Sequence, residues 1–237
     1  MGIAVTTDQG DAISTSIARP AVSTPYAATQ AAGKASLRRL LLDAASSLLE
    51  RHGPEALTMR RLAAEAGCST SVLYTMFGGK AGIAEGLWRE GFERLGAALD
   101  QVTGADPLER LAAMGRAYRA NALADRSYYA VMFQRPIPGF EPSPEAYEAS
   151  LEPLRALAGT VADCIRAGIF RAEDPMHIAG VLWAATHGAV SLELAGYEGA
   201  VDAEHRFDDV CAATAAWFMT PDGATPEQSA LRQSRAS

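Results

Sequence analysis

The residues able to do chemistry concentrate in one stretch, LTMRRLAAEAGCSTSVLYTMFGGK, residues 57–80. It combines short hydroxyls, adjacent arginines, a tyrosine and a closing lysine, a set that can hydrogen-bond base edges and neutralise phosphates. Thr58 offers a side-chain oxygen to open a short helix. Ala63 and Ala66 supply small contacts between helices, and Gly67 can take the positive φ that ends the first of them. Ser69 then caps a second helix, and Leu62, Val72, Leu73 and Met76 bury its inner side. Thr70, Ser71, Tyr74 and Thr75 are left on the outer face, where a recognition helix of a helix-turn-helix enters the major groove.

Thr58 and Lys80, each at the start of a helix, are placed to bind phosphates. Arg60 and Arg61 are adjacent, so they point about 100° apart on a helix and cannot face the same groove equally. Arg60 is assigned to the groove and Arg61 to solvent. Phe77 reads as a core aromatic. Tyr74 reads as a phosphate contact, with a core position as the alternative.

The elements that must hold these residues are helical almost throughout, because alanine is abundant and apolar residues recur with helical rather than alternating period. A first helix over about 35–52 carries Leu37, Leu40, Leu41, Ala44, Leu48 and Leu49 on one stripe, and Gly53 with Pro54 stops it, Gly53 as a left-handed cap. A long helix runs from Gly79 to Leu99 with Ile83, Leu87 and Leu95 spaced by multiples of four. ADPLERL and AEDPMHI each place an aspartate before a proline, which starts helices near 107 and 175. Pro136, Pro138, Pro142 and Pro144 make a loop bordering a pocket, and Pro153 either kinks the next helix or lies in its first turn. Residues 1–33 and 220–237 lack apolar periodicity and read as disordered tails.

Composition bounds the rest. A chain of 237 residues with 49% hydrophobic content has enough apolar matter for a packed core. Cys68, Cys164 and Cys211 are odd in number and show no CxxC, which suits a reducing cytoplasm. No apolar run approaches 18 residues without a charge, and residues 1–20 have no basic stretch before an apolar core, so neither a membrane span nor export is expected. The net charge of −7 conceals an asymmetry. Residues 34–82 hold seven basic and four acidic side chains, a net +3, whereas residues 83–237 hold 13 basic and 22 acidic, a net −9. One end can meet a polyanion while the remainder faces away.

The block LTMRRLAAEAGCSTSVLYTMFGGKAGI resembles the DNA-binding domain of the TetR/AcrR family of bacterial transcriptional regulators, through Thr58, Ala63, Gly67, Leu73, Tyr74, Phe77 and Lys80. The resemblance covers about 35–83. It implies an all-α fold: a three-helix helix-turn-helix domain over 34–82, joined by a long helix to a helical-bundle ligand-binding and dimerisation domain over 83–219. It also implies that Arg60, Thr70, Ser71, Tyr74, Thr75 and Lys80 stand where relatives touch operator DNA. Met76 departs from the polar or aromatic residue common there, and Gly79 and Gly82 replace commoner residues, which is expected to loosen the start of the long helix.

In the second half, GIFRAEDPMHIAGVLWAATHGAVSLELAGY resembles the C-terminal domain type named for its Trp-His-Gly motif, through Trp183, His187 and Gly188. Ile178, Leu182, Ala185, Ala189 and Leu192 form one apolar stripe, and Phe207, Val210, Cys211, Thr214 and Phe218 another. Two such helices from each of two protomers can make the four-helix bundle of a homodimer, which places two recognition helices about one DNA turn apart. Met114, Tyr118, Tyr128, Tyr129, Met132 and Phe133 supply aromatic and thioether walls for a small hydrophobic effector. Tyr118, Phe133, Trp183 and His187 are assigned to that pocket, with a satisfied buried hydrogen bond as the alternative role of His187.

Two other classes compete with a regulator. The four histidines form no HExxH and no zinc spacing, and the chain carries neither a glycine-rich phosphate loop nor GxSxG, so no enzyme motif, metal site or cofactor is expected. An architectural DNA binder would not need the large acidic remainder.

Overall fold

The computed structural model describes residues 25–197 and 202–221. The chain divides into two compact units, Met1–Leu37 and Arg38–Ser237. In the first unit the described residues are 25–37, all helical. They open helix α1 (Pro25–His52), ten residues ahead of the start expected from apolar periodicity. Pro25 is suited to a first helical position and Ala-Ala-Thr-Gln-Ala-Ala is rich in the best helix former, so the segment needs no apolar stripe to be helical. Residues 25–33, read from sequence as tail, are therefore helix; residues 1–24 lie outside the described set.

Among its described residues the second unit is helical apart from turns, loops and one antiparallel bridge between Phe170 and Met219. After α1 come a short 3-10 turn (Pro54–Ala56), α2 (Met59–Glu65), α3 (Thr70–Phe77) and α4 (Lys80–Asp100). Then follow α5 (Pro107–Ala124), α6 (Arg126–Phe133), α7 (Pro144–Ser150), α8 (Glu152–Arg166), α9 (Pro175–Leu194) and α10 (Ala203–Phe218). Among the described residues no helix is long and apolar enough to cross a membrane.

Local signals set the ends as expected. Asp106 accepts hydrogen bonds from the N–H groups of Leu108 and Glu109, both at 2.8 Å, and Asp174 accepts from Met176 at 3.1 Å. Pro107 and Pro175 follow these caps directly. Pro144 and Pro153 each lie in the first turn of a helix, which decides the role of Pro153. Gly53 has φ 71° but ψ 179°, an extended positive-φ conformation rather than the left-handed helical cap expected. Thr220, assigned from sequence to the closing tail, is tied in: its N–H donates to Ile169 O at 2.9 Å and its hydroxyl to Gly168 O at 2.7 Å.

The core of the helix-turn-helix end contains Leu41, Leu42, Leu49, Leu57, Leu62, Leu73, Phe77, Ile83 and Leu87, and runs on without a break into Tyr128, Val131 and Ile137. The inward stripe of α1 is thus Leu41, Leu42, Ala45, Leu48 and Leu49, and Leu40 is 55% exposed. Helix α4 belongs to this core at its start and to a second one through Leu95 and Leu99, which pack with Met114, Tyr118, Met132, Val190 and Phe207.

The packing of α4 depends on bare backbone. A Cβ on Gly82 would lie 1.7 Å from the Phe77 carbonyl oxygen, one on Gly86 2.9 Å from Leu42 Cδ2, and one on Gly91 2.7 Å from Met132 Sδ. Gly82 therefore tightens the α3–α4 junction, contrary to the loosening expected from sequence.

Candidate nucleic-acid interface and internal cavity

Helix α2 opens on Thr58, whose backbone is extended and whose hydroxyl accepts from the Arg61 N–H at 3.3 Å. Gly67, at φ 65°, makes the turn, and the Cys68 N–H donates to Ala63 O at 2.9 Å. Ser69 holds the cap position of α3 with extended backbone, but its hydroxyl accepts no bond from the helix; only its carbonyl does, from the Val72 N–H at 3.1 Å. Leu73 and Phe77 are buried, Val72 and Met76 partly so. The periodicity of α3 leaves Thr70, Ser71, Tyr74 and Thr75 exposed, Tyr74 by 55%. Thr58, Arg60 and Lys80 are exposed as well, at the starts of α2 and α4.

Many cations of the acidic end meet carboxylates, although Arg116, Arg126 and Arg135 have no described carboxylate partner. Arg89, Arg94, Arg110, Arg119, Arg155 and Arg166 are all paired with carboxylates of the acidic end. Within the helix-turn-helix, Arg51 pairs with Glu65 at 2.5 Å and Arg38 lies 5.0 Å over the Phe77 ring. Arg60, Arg61 and Lys80 are exposed, and no described carboxylate pairs with them. Their charge is available to an outside anion.

A cavity of about 710 Å³ lies among α4, α5, α6, α7, α8, α9 and α10. Tyr118, Phe133 and Trp183 line it, together with Trp88 and Phe92 of α4. His187 does not. Its Nδ1 shares hydrogen bonds with the Tyr118 hydroxyl at 2.8 Å and the Tyr129 hydroxyl at 3.2 Å, and Tyr129 continues to Ser191 Oγ at 2.6 Å. Stacking against Tyr129 and edge contact with Phe133 hold the imidazole behind the wall. Burial lowers the His187 pKa and raises those of Tyr118 and Tyr129, so all three groups are neutral near pH 7. Beside this relay, Arg119 grips the buried Glu193 through two bonds, at 2.9 and 2.7 Å, joining α5 to α9.

A polar junction connects the helix-turn-helix to the cavity end. Arg94 bonds Glu90 at 2.9 Å on its own helix, Asp125 at 3.4 Å ahead of α6, and Asp43 of α1, and its guanidinium lies 4.3 Å over the Tyr128 ring. Tyr128 donates to Asp43 at 3.2 Å and Ser46 to Asp125 at 3.2 Å. Burial pushes the Asp125 carboxyl up despite these partners. Neither Arg94 nor Trp88 stood out from sequence, although Trp88, Phe92, Leu95 and Leu99 recur at helical spacing.

The apolar stripes expected to meet a second protomer turn inward instead. Ile178, Leu182, Ala189, Phe207 and Phe218 are buried within this chain, whereas Leu192 is 48% exposed. The outer face of α9 carries Val181, Ala184, Gly188 and Leu192, and that of α10 carries Trp217.

An α3 that presents only hydroxyls, flanked by unpaired cations and carried on a helical body with a cavity, defines a helix-turn-helix protein. Residues 41–87 match the family model for bacterial regulatory proteins of the tetR family, and residues 111–214 match that for the tetracyclin repressor-like C-terminal domain. Together the two matches span more than half of the chain, which belongs to the TetR family and is a DNA-binding transcriptional regulator. A protein of unknown function from Rhodococcus sp. RHA1 is 29% identical, with a TM-score of 0.69 over 78% of this chain and 96% of that one. The TetR family transcriptional regulator PfmR from Thermus thermophilus is 21% identical, with a TM-score of 0.57 over 73% and 94%. A regulator from Saccharomonospora viridis, solved in complex with choline, is 21% identical with a TM-score of 0.65 over 78% and 99%. No curated protein matches the sequence.

Proposed function

We propose that this regulator is a cytoplasmic repressor that binds a near-palindromic operator as a homodimer and leaves it when a small, largely hydrophobic effector fills the cavity. The observation that carries the DNA-binding geometry is the exposed hydroxyl face of α3 between unpaired Arg60 and Lys80. Thr70, Ser71 and Thr75 read base edges, and Arg60 reaches a guanine, a contact worth about 1–3 kcal/mol of discrimination. Thr58, Tyr74 and Lys80 bind phosphates and fix register. A second copy packs on the outer faces of α9 and α10, where Val181, Ala184, Gly188, Leu192 and Trp217 are exposed. An effector releases DNA by favouring one spacing of the two helix-turn-helix domains over the other. The confinement of net positive charge to one short module, with a net acidic remainder, favours a regulator over an architectural binder.

The test is to incubate the protein with sheared genomic DNA from its source at near-physiological salt and to sequence the retained fragments. Enrichment of a few near-palindromic promoter-proximal sites is expected, and uniform retention would favour an architectural binder. Sedimentation at micromolar concentration should give a dimer; a monomer would refute the paired-helix arrangement.

A further inference from the structure

We infer that the cavity takes an uncharged, oxygen-bearing hydrocarbon of the fatty-alcohol or ketone kind, read by the Tyr118 hydroxyl and the Trp88 indole N–H. This rests on the reading of the cavity as the effector site. The charged residues of the lining, Arg116 and Asp208, are both exposed and stand at its edge with solvent. The walls are otherwise mainly leucines, methionines and aromatic rings. An ion entering them would lose its water without meeting a buried counter-charge.

The polar groups of the lining are few, and two are already used. The Thr186 hydroxyl donates to Leu182 O at 2.9 Å, and the Ser150 hydroxyl to Tyr147 O at 2.6 Å, each within its own helix. Cys211 Sγ meets the Thr186 hydroxyl at 3.6 Å, and Tyr147 and Trp183 are exposed, which leaves two buried groups with capacity. Trp88 is 5% exposed, and its buried Nε1 donor finds no acceptor among the described residues. A donor left in that condition favours any ligand that brings it an oxygen.

Tyr118 is the second: its hydroxyl also neighbours Trp183 and Tyr129, and the relay behind it makes its remaining bonding adaptable. With the proton of the neutral imidazole on Nε2, Tyr118 donates to His187 Nδ1 and its oxygen accepts from a ligand hydroxyl. With the proton on Nδ1, the imidazole donates to Tyr118, whose own proton then turns to a ligand carbonyl. Alcohol and ketone are both accommodated without a change of charge. The aromatic rings do not make a cage for a cation, since Phe92, Phe133 and Trp183 pack edge-on or tilted against one another at 5.6 and 6.1 Å rather than around a common point.

The test is a fluorescence titration of the full chain with N-phenylnaphthylamine, a neutral apolar probe, followed by displacement with dodecanol, methyl decyl ketone, dodecanoate and dodecyltrimethylammonium. All competitors are kept below their micelle-forming concentrations. The alcohol and the ketone should displace the probe at concentrations at least about tenfold lower than either ion. Tyr118→Phe should raise the dodecanol requirement about fivefold, and Trp88→Phe that of the ketone, with probe affinity kept within about twofold as the measure of an intact cavity. An ion that competes as well as the alcohol overturns the inference. So does an unchanged ranking of competitors in both variants. A probe that fails to bind would instead refute the cavity as an effector site, and the inference with it.

Discussion

Replacing Gly82 by alanine tests whether the α3–α4 junction sets the position of the recognition helix. The added Cβ would stand 1.7 Å from the Phe77 carbonyl oxygen and 2.8 Å from its carbon, both backbone atoms that cannot swing aside. Carbon and oxygen in contact sit at about 3.3 Å, so the two must part by roughly 1.6 Å. Overpacking of this kind costs about 1–3 kcal/mol, and alanine returns about 1 kcal/mol through its better helix propensity. The net expectation for Gly82→Ala is a loss of up to about 2 kcal/mol in urea unfolding, and no gain. Phe77 closes α3, so the displacement is carried to Tyr74 and Thr75, and retention of operator DNA should fall at least about tenfold. Gly96→Ala is the control: it makes the same change in the same helix, but its Cβ meets nothing within 4 Å. That variant should gain up to about 1 kcal/mol and bind DNA normally. Equal gains in both variants would refute the reasoning, because the close approach at Gly82 would then impose no constraint.

The exposed cations separate by role: Arg60→Ala should relax base preference, whereas Lys80→Ala should weaken all sequences alike and reduce the salt slope by about one unit, as read from binding isotherms at several salt concentrations. Arg94→Met leaves the buried Glu90 carboxylate without its partner, and with Arg94 itself about a third exposed the expected loss is about 2 kcal/mol in urea unfolding. The His187 pKa is lowered on folding, so between its folded value and the ordinary 6.5 the unfolded chain binds more protons and stability falls as pH drops. Wild type should therefore lose at most about 1.4 kcal/mol per pH unit in that window, and His187→Gln should flatten the dependence on the acid side of the ordinary 6.5.

Features encoded locally were legible in the sequence. Asp106 with Pro107, Asp174 with Pro175, and Gly67 each act within a few residues, so type and spacing foretell the helix ends and the turn. The polar face of α3 follows from period alone. The inward and outward faces of α9 did not, because Ile178 and Leu182 on one side and Val181 and Leu192 on the other are all apolar, and periodicity cannot say which stripe the chain keeps for itself. His187 illustrates the other limit: its partners Tyr118 and Tyr129 lie 69 and 58 residues away, so a cavity wall and a braced relay look alike until the helices are packed. The start of α1 was missed since alanine propensity, rather than an apolar stripe, makes residues 25–33 helical.

The Arg94 junction bears on how such proteins can be recombined. Its acidic members come from α1, α4 and the turn before α6, so they are scattered over some 80 positions of sequence while meeting one guanidinium. A chimaera that grafts a foreign sensing half after α3 would keep Asp43 and Ser46 but lose Arg94, Asp125 and Tyr128. Its two parents would then meet across mismatched charges. A crossover placed after α6 carries the set over intact, and the reading head would keep the footing on which it was built.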